Sequence, residues 1–170
     1  MPSSNLAVWP EILALVGQAR PHRSILDVGP GRGKAAPLLR EYVAGIERID
    51  AIEAWAPYVT EQMEAAYDEV MIGDVMLLSA EMLGTYDVVL LGDVIEHLAH
   101  EDGEELLERI RGAVVIATPR DYFQNPEAEA IWTEEHRSLW RVEEFLAMPR
   151  CEIAYVNDVG AVLARLRPAG

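Results

Sequence analysis

Two groups of residues carry side chains at spacings that chemistry can use. The first is Leu26-Asp27-Val28-Gly29-Pro30-Gly31-Arg32-Gly33-Lys34, in which three alternating glycines follow an acid. Glycines remove the side chains that keep a ligand away from the backbone, and they permit positive φ. Ser24-Ile25-Leu26 precede the turn and Ala35-Ala36-Pro37-Leu38-Leu39 follow it, so the segment reads as strand, turn and helix N-terminus. That sequence of elements gives an α/β sheet a nucleotide-sized binding edge. The second group is Asp93-Val94-Ile95-Glu96-His97-Leu98. If a helix starts there, Asp93, Glu96 and His97 share one face at i, i+3 and i+4. Two carboxylates and an imidazole so placed can bind a divalent cation or set up a general base. His136, in Glu135-His136-Arg137-Ser138-Leu139-Trp140, can approach the same edge.

The glycine spacing separates two ligand classes. A dinucleotide loop runs G-x-G-x-x-G. Counted from Gly29 and Gly31, its last glycine would fall on Lys34, and the spacing here is G-x-G-x-G. Asp27 disfavours a pyrophosphate and suits the ammonium end of a zwitterionic cofactor, which makes a nicotinamide-linked oxidoreductase the weaker reading. The combination resembles motif I of the class I S-adenosylmethionine-dependent methyltransferases. The resemblance continues along the chain. Arg48-Ile49-Asp50-Ala51-Ile52-Glu53-Ala54-Trp55 reads as a second strand ending in an acid, twenty residues beyond Gly33; an acid at about that distance accepts hydrogen bonds from ribose hydroxyls in nucleotide-binding α/β units. Val70-Met71-Ile72-Gly73-Asp74-Val75 looks like the family's third strand and turn, and Tyr86-Asp87-Val88-Val89-Leu90-Leu91-Gly92-Asp93 is a fourth strand, apolar enough to be buried on both faces. The resemblance implies S-adenosyl-L-methionine as cofactor, held by Asp27, Gly29, Pro30, Gly31, Gly33, Glu53, Ala54, Asp74, Val75, Gly92 and Asp93, with Glu53 at the ribose and Asp74 facing the adenine amino group.

The Glu-His segment is similar to that of two subfamilies, the ubiquinone-pathway O-methyltransferases and the small-RNA terminal ribose methyltransferases; the second also carries a later histidine near a tryptophan. Carried over, the ligands of a divalent metal such as magnesium would be Asp93, Glu96, His97 and His136, with Asp93 standing where a glutamate is usual. Very similar segments occur in metal-free relatives, where the acid and histidine shape the cofactor edge, and both readings stay open. His97 and His136 are the candidate catalytic residues. His136 and Trp140 read equally as a wall of the acceptor pocket or as a core pair. Tyr122, Phe123 and Gln124, between Thr118-Pro119 and Asn125-Pro126, lie where the family presents its acceptor and would suit a sugar or small aromatic compound. His22 and His100 read as exposed loop residues without a role.

Alternating strands and helices must position these groups. The pattern predicts helices over about 6–19, 34–44 and 57–67, another around Leu106, Leu107 and Ile110, and one ending near Phe145. Strands fall at 24–28, about 47–53, 70–73, 86–91 and 112–119, with a closing pair at 151–156 and 159–167 joined by Asn157-Asp158. This predicts an α/β, doubly wound, mostly parallel sheet, made seven-stranded by an antiparallel last strand, in a Rossmann-like methyltransferase fold filling one domain over residues 1–170.

Composition narrows the substrate. The formal net charge is −15, and residues 51–130 hold 18 acids and 3 bases. A surface so acidic repels a phosphate backbone, so nucleic acid is a poor substrate. The single cysteine, Cys151, excludes an internal disulfide. No apolar run spans a bilayer and the start lacks a basic n-region, which points to a cytoplasmic protein. The expected reaction is in-line methyl transfer to a small-molecule acceptor, most readily a hydroxyl, with His97 or a metal-bound oxygen handling the proton. A methyltransferase-like partner or regulatory subunit without activity is the alternative. The oligomeric state is not encoded in any pattern here.

Overall fold

The structure is a computed structural model, and it describes residues 5–121 and 134–170. Seven strands form one sheet in the order β3-β2-β1-β4-β5-β7-β6. They are β1 (Ser24–Val28), β2 (Arg48–Glu53), β3 (Glu69–Ile72), β4 (Val88–Gly92), β5 (Ala113–Pro119), β6 (Cys151–Val156) and β7 (Ala161–Leu166). Strands β1 to β5 pair in parallel, and β7 runs antiparallel to both β5 and β6. The expected doubly wound sheet with an antiparallel last strand is therefore present.

Two apolar layers sandwich the sheet, and the strands alternate between them as a period of two demands. Ile25, Val88, Leu90 and Val115 point to a layer with α1 (Trp9–Gln18) and α2 (Ala35–Tyr42). Leu26, Val89, Leu91 and Ile116 point to the other, which holds Leu83 of α4 (Ala80–Leu83), Leu106 and Leu107 of α5 (His100–Arg109), and Phe145 of α6 (Val142–Ala147). Burial on both faces explains why β4 and β5 read as continuous apolar runs. The helix expected over 57–67 divides into a 3-10 turn at Ala56–Tyr58 and α3 (Glu61–Ala66), where Thr60 Oγ1 accepts from the Met63 N–H. The closing turn runs on to Gly160, whose φ is +78°, because Asn157 Oδ1 accepts from the N–H groups of both Val159 and Ala161. Neither spare histidine is an exposed loop residue. His22 is half-buried with Nε2 3.0 Å from the Ala44 carbonyl, and His100 opens α5 and stacks on Trp140. Among the described residues no helix is long and apolar enough to cross a membrane.

The order β2-β1-β4 marks the point where the chain reverses its direction across the sheet, and the connections after β1 and β4 leave there toward opposite layers, with a crevice between them. Open α/β sheets bind ligands at such a point.

Candidate active site

A cavity of about 470 Å³ opens at that crevice, within the size range of small-molecule sites. Asp27, Gly29, Pro30, Gly31, Glu53, Ala54, Asp74, Val75, Gly92, Asp93, Glu96, His97 and His136 all line it, so the two groups read from the sequence share one wall. Gly33 is the exception. A side chain there would meet Met63 Cγ at 2.7 Å, so this glycine lets α3 pack against the loop, and it is not among the residues lining the cavity. Gly29 and Gly31 have φ of +61° and +56°, and a Cβ on Gly29 would lie 2.8 Å from Val94. The loop is tied to its neighbour strand by the Gly29 N–H, which donates to the Ile52 carbonyl at 2.9 Å.

Each strand tip presents an acid with its own environment. Asp27 is 4% exposed, and the Tyr67 hydroxyl donates to it at 2.5 Å. Burial pushes its carboxyl up to about 7, against the lowering effect of that hydrogen bond and with a small further push from Glu53. Glu53 accepts from the Trp55 N–H at 2.8 Å. Burial raises it, while the N–H groups of Trp55, Gly31 and Ala54 work the other way. Asp74 caps the 3-10 turn Val75–Leu77 through the Met76 N–H at 2.9 Å.

Beyond β4 the backbone departs from the expected helix. Asp93 has φ +53°, the one positive φ outside glycine among the described residues, and only a three-residue 3-10 turn follows, at Ile95–His97. The physical reason lies 40 residues away in sequence. The Glu96 carbonyl, which a helix would offer to His100, accepts instead from the N–H groups of Arg137 and Ser138 at 2.7 and 3.0 Å. Ser138 Oγ and Trp140 Nε1 donate to the Ile95 carbonyl. The segment carrying His136 is thereby fastened to the turn carrying His97, and the two rings meet edge to face at 4.9 Å. Trp140 itself is fully buried in the core, which decides its role: His136 forms cavity wall and Trp140 anchors it.

The catalytic candidates have defined bonding states. His97 Nδ1 lies 3.2 Å from the Glu135 carbonyl, so Nδ1 carries the hydrogen and Nε2 keeps the lone pair. Burial lowers the pKa of both His97 and His136; Arg137 lowers His97 further against the raising effect of its bond to the Glu135 carbonyl, and the neighbouring His97 ring lowers His136 further against the pull of Glu134. Glu96 is 2% exposed and accepts from Thr118 Oγ1 at 2.9 Å. Burial, helped by the charge of Asp93, pushes it up to about 8.

The expected four-ligand metal set is not assembled. Glu96, His97 and His136 bring ligand atoms within 4.8 Å of one another, and Asp93 is not part of that group. Its left-handed backbone and the loss of the helix remove the i, i+3, i+4 relation on which that ligand set depended. Two imidazoles and one carboxylate suit a transition-metal ion, whereas magnesium favours oxygen ligands. Sequence reasoning also missed Trp9, Tyr58 and Glu134, which complete the cavity wall. An aromatic residue or acid in a loop carries no local signal of the wall it joins. The expected acceptor residues Tyr122, Phe123 and Gln124 lie outside the described residues.

A glycine cradle at a topological switch point, with acids at or near three strand ends, fits a nucleotide-type ligand at the edge of an open α/β sheet. Comparisons with known proteins agree. The solved structure of PH0226 from Pyrococcus horikoshii OT3 superposes with a TM-score of 0.69 at 16% identity, covering 95% of this chain and 88% of that one. The N-methyltransferase NodS from Bradyrhizobium japonicum WM9 gives 0.65 at 12% identity over 95% and 94% of the two chains. The N-terminal domain of EvdMO1 with SAH bound gives 0.65 at 16% identity over 98% and 83%. Such identities show a common fold. No curated protein matches the sequence. Residues 5–146 match the methyltransferase domain family, and the chain belongs to it as a class I S-adenosylmethionine-dependent methyltransferase.

Proposed function

We propose that this methyltransferase acts on a hydroxyl of a small molecule, a sugar or a small aromatic compound, with His97 as the base. The observation that carries the reading is the fixed state of His97: its Nδ1–H is committed to the Glu135 carbonyl, and Nε2 is left as an acceptor in the cavity wall. S-adenosylmethionine, when bound, supplies a methyl group already activated on a sulfonium sulfur, so the protein has to align the partners and remove one proton. Gly29 and Gly31 let the donor approach the backbone, Glu53 takes the ribose hydroxyls, Asp74 and Val75 border the base, and Asp27 faces the ammonium end. His97 Nε2 takes the hydroxyl proton as the C–O bond forms and the C–S bond breaks. His136 steadies the ring edge to face, and the lowered pKa of both rings keeps the lone pair available at neutral pH.

The assay that tests this follows S-adenosylhomocysteine formation against a panel of sugars and phenols, with and without chelator. Turnover on a hydroxyl, unchanged by chelator, supports His97 as the base. Loss with chelator, restored by a transition metal, moves the proton step to an ion held by Glu96, His97 and His136. Donor binding with no turnover on any acceptor would favour a non-catalytic partner instead.

Asp27 supplies a pH signature. Its carboxyl titrates at about 7, and an ammonium pairs well only with the ionised form. Below pH 7 the group is protonated, so donor affinity rises by about twentyfold as pH goes from 5.5 to 7.5 and then levels. Calorimetric titration across that range should show the rise in the wild type and its loss in Asp27→Asn. A flat wild-type profile would detach Asp27 from the donor.

A further inference from the structure

The cavity is more acidic than its donor half requires. Beyond Asp27, Glu53 and Asp74, its wall carries Asp93, Glu96, Asp102 and Glu134. Against these stand Lys34, which faces Asp93, and Arg137, whose guanidinium lies 3.4 Å from Glu135. Acidity on a surface is ordinary, but Glu96 is not on the surface. It is 2% exposed; Thr118 bonds its Oε2, and among the described residues its Oε1 has no hydrogen-bond partner. The carboxylate belongs to the same cluster as the ring nitrogens of His97 and His136, all within 4.8 Å of one another, and so stands at the reacting end of the cavity. A buried oxygen without a donor costs about 1–3 kcal/mol, and a ligand that brings a donor recovers that cost. Glu134 is the second acid near this point. It lines the cavity and is close enough to act on Glu96 and His136 electrostatically.

Resting on the hydroxyl reading above, we propose that the acceptor is an amino alcohol of the amino-sugar type, whose protonated amino group binds Glu96 Oε1 and Glu134 while its hydroxyl lies at His97. An ammonium brings three donors and a full positive charge. Burial favours the protonated form of Glu96; the ammonium shifts it to the carboxylate, bonds the unpartnered oxygen and offsets the excess of acid in one contact. A neutral hydroxyl supplies the donor but not the charge, and a carboxylate or phosphate is repelled by every acid named. The hydroxyl keeps its part in the reaction: its proton passes to His97 and its oxygen takes the methyl group, while the ammonium nitrogen stays protonated and serves only to hold the acceptor.

The test uses the full chain loaded with S-adenosylhomocysteine and three probes of one shape: cyclohexylamine, cyclohexanol and cyclohexanecarboxylate. Dissociation constants are read by ligand-observed NMR. Cyclohexylamine should bind about tenfold tighter than cyclohexanol, and the carboxylate should show no binding. Glu96→Gln and Glu134→Gln should each remove most of the preference. Glu134 is partly exposed, so that variant reports even if Glu96→Gln fails to fold. Equal binding of amine and alcohol, tighter binding of the carboxylate, or no binding by any probe to the loaded protein overturns the proposal. Failure of the wild type to bind S-adenosylhomocysteine is a separate result, which overturns the donor site and this inference with it.

Discussion

His97→Ala should lower kcat by about 10²–10³-fold on a hydroxyl acceptor while leaving the dissociation constant for S-adenosylhomocysteine within about twofold, a loss typical of removing a positioned base. The two readouts separate because most of the residues proposed to hold the donor lie on the loop after β1 and at the ends of β2 and β3, with Gly92 and Asp93 at the end of β4, whereas His97 belongs to the 3-10 turn beyond them. His97→Gln keeps some of the volume and can still bond Glu135, yet it has no basic nitrogen, so it should be nearly as slow. His136 stands 4.9 Å from the lost ring; the double variant should therefore be slower than either single one, and not by the product of the two effects. A His97→Ala enzyme within threefold of wild-type kcat would remove His97 from the proton step.

The largest effect on stability is expected from Trp140→Ala, at about 3–5 kcal/mol, equivalent to a melting temperature lower by roughly 10 °C or more. Trp140 is fully buried, stacks on His100 with ring centres 4.2 Å apart and packs on Phe145 at 5.5 Å. Gly103 is a glycine on its account, because a Cβ there would lie 2.5 Å from the indole. The indole N–H also ties Ser138 and the Ile95 carbonyl together. Losing the ring should accordingly loosen the junction between the His97 turn and the His136 segment and lower kcat as well. Trp140→Phe keeps the stack but not the N–H, and should cost about 1 kcal/mol with a clear drop in rate. Urea unfolding alongside turnover measures both. A cost below about 1.5 kcal/mol for Trp140→Ala would mean that another contact holds the junction.

What could be read from the chain, and what could not, follows from the range of the forces involved. Strands β4 and β5 were legible because burial on both faces leaves an apolar run that local composition records, and the glycine loop because positive φ leaves glycines. The acids at the strand tips were legible for the same local reason, since each closes a strand. The helix expected from Asp93 failed because its fate was set by Arg137 and Ser138, whose N–H groups take the Glu96 carbonyl from across the sheet edge. A local pattern carries no trace of such a competitor. Gly33, expected at the cofactor, packs on Met63 outside the cavity lining, because a glycine that admits a ligand and a glycine that admits Met63 look alike in a sequence. Trp9, Tyr58 and Glu134 reach the wall only through tertiary packing.

The cavity wall gathers residues from Asn5 to Ala161, and that spread reaches beyond catalysis. No fragment that has folded halfway can own this site, so whatever fills it selects the finished molecule over every incomplete one. At a hundred times its dissociation constant, such a ligand adds about 2.7 kcal/mol to the native state. If the methyl donor is that ligand, its supply should set how long the polypeptide survives proteases as well as how fast it works. In a cell starved of that donor, the enzyme's abundance would decline together with its rate.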